Sequence, residues 1–82
     1  MKVAVDISLY PIQDDLIPPI IDVIERLKSH DGLYVDTNAM STQIRGEYDD
    51  VMAALNKEIR TTFDQVPKAV FAIKILNNPI AD

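Results

Sequence analysis

The chain has 82 residues and a mass of 9.2 kDa, and 48% of its residues are hydrophobic and 26% charged. These values are typical of one globular domain and exclude a disordered tail. Its formal net charge of −5 argues against binding to nucleic acids or anionic membranes, because both require clustered basic groups. The sequence contains no cysteine, which excludes disulfides, thiol nucleophiles and cysteine-ligated metals. Asp6 falls too early for a secretory leader and no apolar run is long enough to span a membrane, so we expect a cytoplasmic protein.

The first part of the chain predicts a strand followed by a helix. Apolar and polar residues alternate from Val3 to Tyr10, which is typical of a half-buried strand, and Pro11 ends it. Asp14-Asp15 supply acceptors for a helix start, and Pro18-Pro19 fit only a first turn. Asp31-Gly32 is expected to end this helix, with Gly32 in the left-handed conformation. The apolar residues at helical spacing are Ile17, Ile20, Ile21, Ile24 and Leu27.

The second part predicts a hairpin, a helix and a last strand. Leu33–Ala39 alternates again and pairs with Ser41–Gly46 through a turn near Ala39-Met40. The second helix carries acidic residues in its first turn, which suits the helix dipole, and it ends before Pro67. Ala69–Leu76 is apolar and β-rich. The acidic residues are Glu47, Asp49 and Asp50, and the apolar stripe of the helix is Tyr48, Val51, Met52, Leu55, Ile59 and Phe63.

The predicted element order, βαββαβ, indicates an α+β domain over residues 1–82. In a chain this small the order predicts a ferredoxin-like fold, with a four-stranded antiparallel sheet and both helices on one face. The helix-covered face is predicted to hold Val3, Val5, Ile7, Leu9, Val35 and Ile44. The open face is predicted to hold Asp6, Ser8, Tyr10, Tyr34, Asp36, Asn38, Gln43, Arg45 and Lys74.

The open face can be interpreted in three ways. It is a binding site, a solvated face on which charges pair across strands, or a face buried against another subunit. Signals for an enzyme are weak, because Ser8 has no neighbouring base to activate it. His30 ends a helix, where a solvated cation is the expected role, and no second histidine is available for a metal site. We therefore expect neither catalysis nor a cofactor.

Two other groups of ferredoxin-like proteins are excluded on residues. An acylphosphatase needs a Gly- and Arg-rich loop after the first strand, whereas Tyr10–Asp15 here is acidic. An RNA-recognition motif needs aromatic residues on its first and third strands and basic surroundings, and the third strand here has no aromatic residue.

Two segments of the chain are distinctive: Ser8-Leu9-Tyr10-Pro11, followed by Asp14-Asp15 and Ile17-Pro18, and the segment from Met40 to Gly46, which reads Met-Ser-Thr-Gln-Ile-Arg-Gly. They resemble the motifs of the YkoF-type thiamine/hydroxymethylpyrimidine-binding family. The resemblance runs along nearly the whole chain. It implies a ferredoxin-like module that binds the pyrimidine portion of thiamine without transforming it. Some relatives fuse two modules in tandem, so a single module is expected to form a homodimer or homotetramer.

The resemblance also implies a set of binding residues. Hydroxyl and amide groups can read the ring nitrogens and amine of an aminopyrimidine, Tyr10 or Tyr34 can stack on the ring, and a carboxylate suits the thiazolium cation. The residues that the resemblance assigns are Ser8, Tyr10, Thr37, Asn38, Ser41 and Thr42, and the charge of the thiazolium adds Asp6 and Asp36. The competing hypothesis is an assembly or sensor protein, whose polar sheet face is a subunit interface or binds another metabolite.

Overall fold

A computed structural model of the chain describes residues 1–79. Its elements confirm the predicted order. They are β1 (Lys2–Pro11), α1 (Ile17–Lys28), β2 (Tyr34–Thr37), β3 (Thr42–Glu47), α2 (Tyr48–Gln65) and β4 (Ala69–Asn77).

The four strands form one antiparallel sheet in the order β2-β3-β1-β4. Val5 lies opposite Ile44 on one side and opposite Ile75 on the other, which sets the register of the three longer strands. Both helices cover one face, so the predicted α+β ferredoxin-like fold is confirmed. The buried core on that face consists of Val3, Val5, Ile7, Leu9, Val23, Leu27, Ile44, Val51 and Leu55.

The helix boundaries follow local chemistry only in part. The proline pair lies in the first turn of α1, as predicted, and Gly32 has a φ of 82° after the helix has ended. The expectation that Asp14 and Asp15 cap α1 is wrong, because the N-cap of this described helix is Leu16, which makes no side-chain hydrogen bond. The prolines restrict the entry of the chain into the helix and lack the donors that a cap would satisfy.

The contact between the two helices contains a buried ionic cluster. Glu58 is 3% exposed and accepts a hydrogen bond from Nη1 of Arg26 at 2.6 Å. Nε2 of His30 lies 2.5 Å from the other Glu58 carboxylate oxygen. The expected role of His30 as a solvated cation is therefore wrong, because the end of α1 lies against α2 and directs the ring to Glu58.

The buried face of α2 is also rotated from the predicted stripe. Val51 and Leu55 are buried as expected, but Tyr48 and Phe63 are exposed. Glu58 and Thr62 take inward positions, because Arg26 on α1 binds both of them. No helix within residues 1–79 is long and apolar enough to cross a membrane.

Candidate functional site

A cavity of about 450 Å³ opens at one end of the sheet. It lies between α1, the C-terminal half of β1 and the turn 38–41 that joins β2 to β3. This volume is within the range of about 300–1,000 Å³ that is usual for small-molecule sites.

The inner wall of the cavity is apolar. β1 contributes Ile7 and Leu9, and α1 contributes a stripe of aliphatic side chains that the helical period directs toward the sheet. Such a wall suits the ring and methyl groups of a small heterocycle better than it suits a charged group. The apolar residues lining the cavity are Ile7, Leu9, Leu16, Ile20, Val23, Ile24, Leu27, Ala39, Met40 and Phe71.

The cavity exists because β1 extends beyond its neighbour β3. The pairing of β1 with β3 ends at Ile7 and Thr42, whereas the pairing of β1 with β4 continues to Pro11. Over residues 8–11 the edge of β1 therefore borders the cavity, where no described strand pairs with it.

Hydrogen bonds at the two ends of the β1–β4 ladder identify the peptide groups on that edge. The backbone amide of Ile12 donates to the carbonyl of Lys68 at 2.9 Å, and the backbone amide of Asn78 donates to the carbonyl of Lys2 at 3.2 Å. Even-numbered residues of β1 therefore direct their peptide groups toward β4, and odd-numbered residues direct theirs the other way. The N–H and C=O of Leu9 thus point past the end of β3, as an adjacent donor and acceptor at the cavity.

Two threonine hydroxyls lie beside this edge. Oγ1 of Thr37 and Oγ1 of Thr42 are 3.0 Å apart on paired positions of β2 and β3, and Thr42 is buried. One hydroxyl donates to the other, so the pair keeps one further proton to donate and lone pairs to accept.

Asn38 holds the turn at the mouth of the cavity. Its Oδ1 accepts from the backbone amides of Met40 at 2.8 Å and Ser41 at 3.1 Å, and its backbone N–H donates to the carbonyl of Ser41 at 3.0 Å. These bonds end β2 at Thr37, earlier than the predicted Ala39. The main role of Asn38 is therefore to fix the shape of the turn at the cavity, because its side-chain oxygen already accepts two backbone hydrogen bonds.

Replacing Asn38 with alanine is expected to destabilise the fold by about 1–2 kcal/mol, because two turn amides lose their acceptor. Asn38→Asp keeps an acceptor at the same place and should cost less. Urea unfolding of both variants measures the difference. Equal stability of the alanine variant and the parent would show that the turn does not depend on this side chain.

A second polar cluster lies on the open face of the sheet. Ser41 Oγ donates to Oδ1 of Asp6, and Gln43 Nε2 donates to the same oxygen at 3.0 Å and to Ser41 Oγ at 2.8 Å. The hydrogen bonds from Ser41 and Gln43 hold the pKa of Asp6 below its usual value, with a smaller effect from the Lys74 charge. These hydrogen bonds favour the ionised carboxylate of Asp6, and they use its Oδ1 as the acceptor for Ser41 and Gln43.

The structure brings together six of the eight predicted site residues. Asp6 and Asp36 do not line the cavity; on the open face, Asp6 of β1 and Asp36 of β2 lie on either side of Gln43 of β3, and each is paired with it. Tyr34 lies at the other end of the sheet, where its ring is 5.8 Å from the guanidinium of Arg45. The role of the set in binding stays a prediction. The six that line the cavity are Ser8, Tyr10, Thr37, Asn38, Ser41 and Thr42.

Sequence reasoning missed the apolar wall as part of the site. The helical spacing of Ile20, Ile24 and Leu27 predicts a core face, and these side chains do pack on the sheet. The relative lengths of β1 and β3 leave part of that face uncovered, and no residue pattern indicates this. Within residues 1–79 no group of three or more His, Asp or Glu side chains could hold a metal ion.

Comparison with known proteins supports a specific family. The model of the family described as thiamine-binding protein matches residues 5–79. A search of curated proteins gave no match.

Solved structures share the fold over nearly the whole chain. A hypothetical protein from Methanocaldococcus jannaschii is 28% identical with a TM-score of 0.84, covering 99% of this chain and 84% of that one. A candidate thiamine biosynthesis/salvage protein from Thermotoga maritima is 25% identical with a TM-score of 0.82, and the match covers 92% of this chain and 82% of that one. A domain of unknown function from Bacillus cereus, at 22% identity and a TM-score of 0.79 over 96% and 78%, shows the fold alone.

Proposed function

Because the chain belongs to the thiamine-binding protein family, we propose that it binds thiamine, or the hydroxymethylpyrimidine portion of thiamine, without transforming it. In this role it serves the supply or uptake of the vitamin precursor. The proposed binding unit is the single domain of residues 1–82, located in the cytoplasm and associated as a homodimer or homotetramer. The similarity to a candidate thiamine biosynthesis/salvage protein supports the same area of metabolism.

The observation that carries the proposal is the free edge of β1 beside the apolar cavity. An aminopyrimidine presents a ring nitrogen that accepts a hydrogen bond next to an amine that donates one. The N–H of Leu9 can donate to the ring nitrogen, and the neighbouring C=O of Leu9 can accept from the amine. The hydroxyls of Thr37 and Thr42 lie on the other side of the gap.

The rest of the cavity fits the remaining features of the ligand. Aliphatic side chains of α1 accommodate the ring face and its methyl group. Tyr10 borders the cavity at the end of β1 and is 56% exposed. The net charge of −5 favours the cationic thiazolium of thiamine and disfavours a diphosphate.

A second candidate function is assembly or sensing of another metabolite. The specific observation in its favour is the large exposed apolar surface of β4. The two candidates predict different results for ligand binding, because an assembly protein is not expected to bind a pyrimidine in the cavity.

Isothermal titration calorimetry with thiamine, hydroxymethylpyrimidine and thiamine diphosphate tests the function. Saturable binding of the first two ligands, with weaker binding of the diphosphate, is the expected result. No binding of any of them by protein shown to be folded would contradict the thiamine proposal and favour the second candidate.

Replacing Thr42 with valine removes one hydroxyl while keeping the shape of the side chain. We expect binding of hydroxymethylpyrimidine to weaken by about 1–3 kcal/mol, because a polar group of the ligand loses its partner. This corresponds to roughly a 5- to 150-fold increase in Kd. The matched control is Thr61→Val on α2, where the hydroxyl donates to the carbonyl of Lys57. Equal affinities for both variants and the parent would remove Thr42 from the site.

A further inference from the structure

The turn 38–41, which lines part of the cavity, is tied to the interior strand β1 from the open face of the sheet. Ser41 Oγ and Gln43 Nε2 both donate to Oδ1 of Asp6, and Gln43 Nε2 also donates to Ser41 Oγ. On its other side, Gln43 Oε1 accepts from Nδ2 of Asn38 at 3.3 Å. These four side chains, here called the Asp6 network, join β1, β3 and the turn.

The carboxylate sets the direction of the hydrogen bonds in the Asp6 network. An ionised carboxylate can only accept, so Ser41 must donate to it and Gln43 must present its side-chain nitrogen. Gln43 therefore has its oxygen available for Nδ2 of Asn38. Asn38 in turn directs its own oxygen to the two backbone amides that follow it in the turn. One charge on β1 thus determines how two side-chain amides and the turn are oriented.

The hydroxyl of Ser41 is used within the Asp6 network. It gives its proton to Asp6 and accepts from Gln43. Although Ser41 borders the cavity, the hydroxyls available to a ligand there are those of Thr37 and Thr42. Asp6 itself does not border the cavity, so an effect of Asp6 on a bound ligand has to pass through the turn.

We propose that Asp6 is a positioning residue for the ligand site, which acts through Ser41 and Gln43 to hold the turn 38–41 in the shape that leaves the cavity open to a small heterocycle. This inference rests on the proposed function, because it assigns Asp6 a role in that same site. The hydrogen bonds to Asp6 are partly buried, which strengthens them relative to bonds in water. Without them the turn samples other shapes, and the apparent affinity falls with the fraction of molecules that keep a competent cavity.

Calorimetric titration of Asp6 variants with thiamine and hydroxymethylpyrimidine tests the role. Asp6→Ala is expected to raise the Kd by about 10-fold, the factor that applies when about a tenth of the molecules hold the competent turn. Asp6→Asn should stay within about 3-fold of the parent, because both bonds use Oδ1 and an amide oxygen can accept them, though less strongly. The control Glu47→Ala removes a carboxylate that binds the N-terminus and Lys2 at the far end of the sheet, and it should leave the Kd unchanged.

A double variant tests the route of the effect. Ser41→Ala removes the same contact from the side of the turn and should also weaken binding. Asp6→Ala combined with Ser41→Ala should weaken it no more than the larger single effect, because the two residues act as one unit. Single effects that multiply in the double variant would mean that the residues act independently, and this would overturn the proposal.

Three further results would contradict the proposal. One is a parent-like Kd in folded Asp6→Ala. Another is an equal loss in Asp6→Asn and Asp6→Ala, which would indicate direct contact between the charge and the ligand. If Asp6→Ala does not fold, an unchanged Kd in Ser41→Ala would have the same consequence.

Amide hydrogen exchange of the ligand-free protein separates this role from the proposed function. The backbone amides of Met40 and Ser41 should exchange about 10-fold faster in Asp6→Ala than in the parent, and at near-parent rates in Asp6→Asn. Unchanged rates in Asp6→Ala would overturn the positioning role even if thiamine binds. Faster rates in a protein that binds neither ligand would contradict the proposed function and leave the hold of Asp6 on the turn established.

Discussion

Replacing Arg26 with alanine is expected to lower the free energy of unfolding by about 3–5 kcal/mol, because it leaves the carboxylate of Glu58 buried without its strongest partner. Arg26 reaches Glu58 through Nη1, which donates to the carboxylate at 2.6 Å and to the Glu58 backbone carbonyl at 3.1 Å. Its Nη2 donates to Oγ1 of Thr62 at 2.7 Å. One side chain thus joins α1 to α2 at three acceptors, and all three lose their donor together.

The effect is measured by urea unfolding of the Arg26→Ala variant, with the Arg60→Ala variant as the control. Arg60 is an exposed arginine of α2, and its replacement should change stability by less than about 0.5 kcal/mol. The double variant Arg26→Met with Glu58→Leu should cost less than Arg26→Ala, because it leaves no buried charge uncompensated. Equal losses in the two single variants would mean that the buried pair contributes nothing.

The same cluster makes stability depend on pH. Burial raises the pKa of Glu58, but the hydrogen bonds from His30 and Arg26 together outweigh it and hold the pKa below its usual value of 4.5. A lowered folded-state pKa stabilises the protein above the unfolded-state pKa, and this stability is lost as the pH falls through the folded-state value. We therefore expect unfolding free energy to fall on acidification below about pH 4.5, and to fall less steeply in Glu58→Gln.

The fold could be predicted because its signals are local. Alternation along β1 identifies the buried face of the strand, and the proline pair marks where α1 begins. The predicted end of α1 at Asp31-Gly32 is too late, because the helix ends at Lys28 and Ser29 is its C-cap. The pairing of α1 with α2 could not be predicted in the same way. Glu58 and His30 look like surface residues in the sequence, and only the packing of the two helices brings them together and buries the carboxylate.

The part of the candidate site that could be predicted from the sequence is the part whose polar residues belong to one turn. Asn38, Ser41 and Thr42 belong to one turn, so a motif that includes them stays together in space. Asp6 is three residues from Leu9 in sequence, but it lies where β1 is still paired with β3, and its side chain binds Ser41 on the open face. The alternation along β1 predicts that Asp6 and Leu9 lie on opposite faces. The length by which β1 extends beyond β3, which creates the cavity, cannot be determined from residue types alone.

Replacing Ile20 with tryptophan is expected to weaken thiamine binding by at least about 100-fold, or ~2.7 kcal/mol. Ile20 lines the cavity from α1 and is partly buried, so the larger ring would occupy the space proposed for the pyrimidine. The matched control is the neighbouring Ile21→Trp, because Ile21 is exposed and does not line the cavity. Calorimetric titration of both variants, with melting curves to establish that each is folded, gives the comparison.

The Ile20 and Ile21 pair also tests where on the sheet the ligand lies. The cavity is on the helix-covered side, whereas Asp6 and Asp36 are on the open face. If a folded Ile20→Trp variant bound thiamine as tightly as the parent, the cavity could not be the site. An affinity lost on Asp6→Asn but kept in Ile20→Trp would then assign binding to the open face. Loss in Ile20→Trp alone would assign it to the cavity beside the free edge of β1.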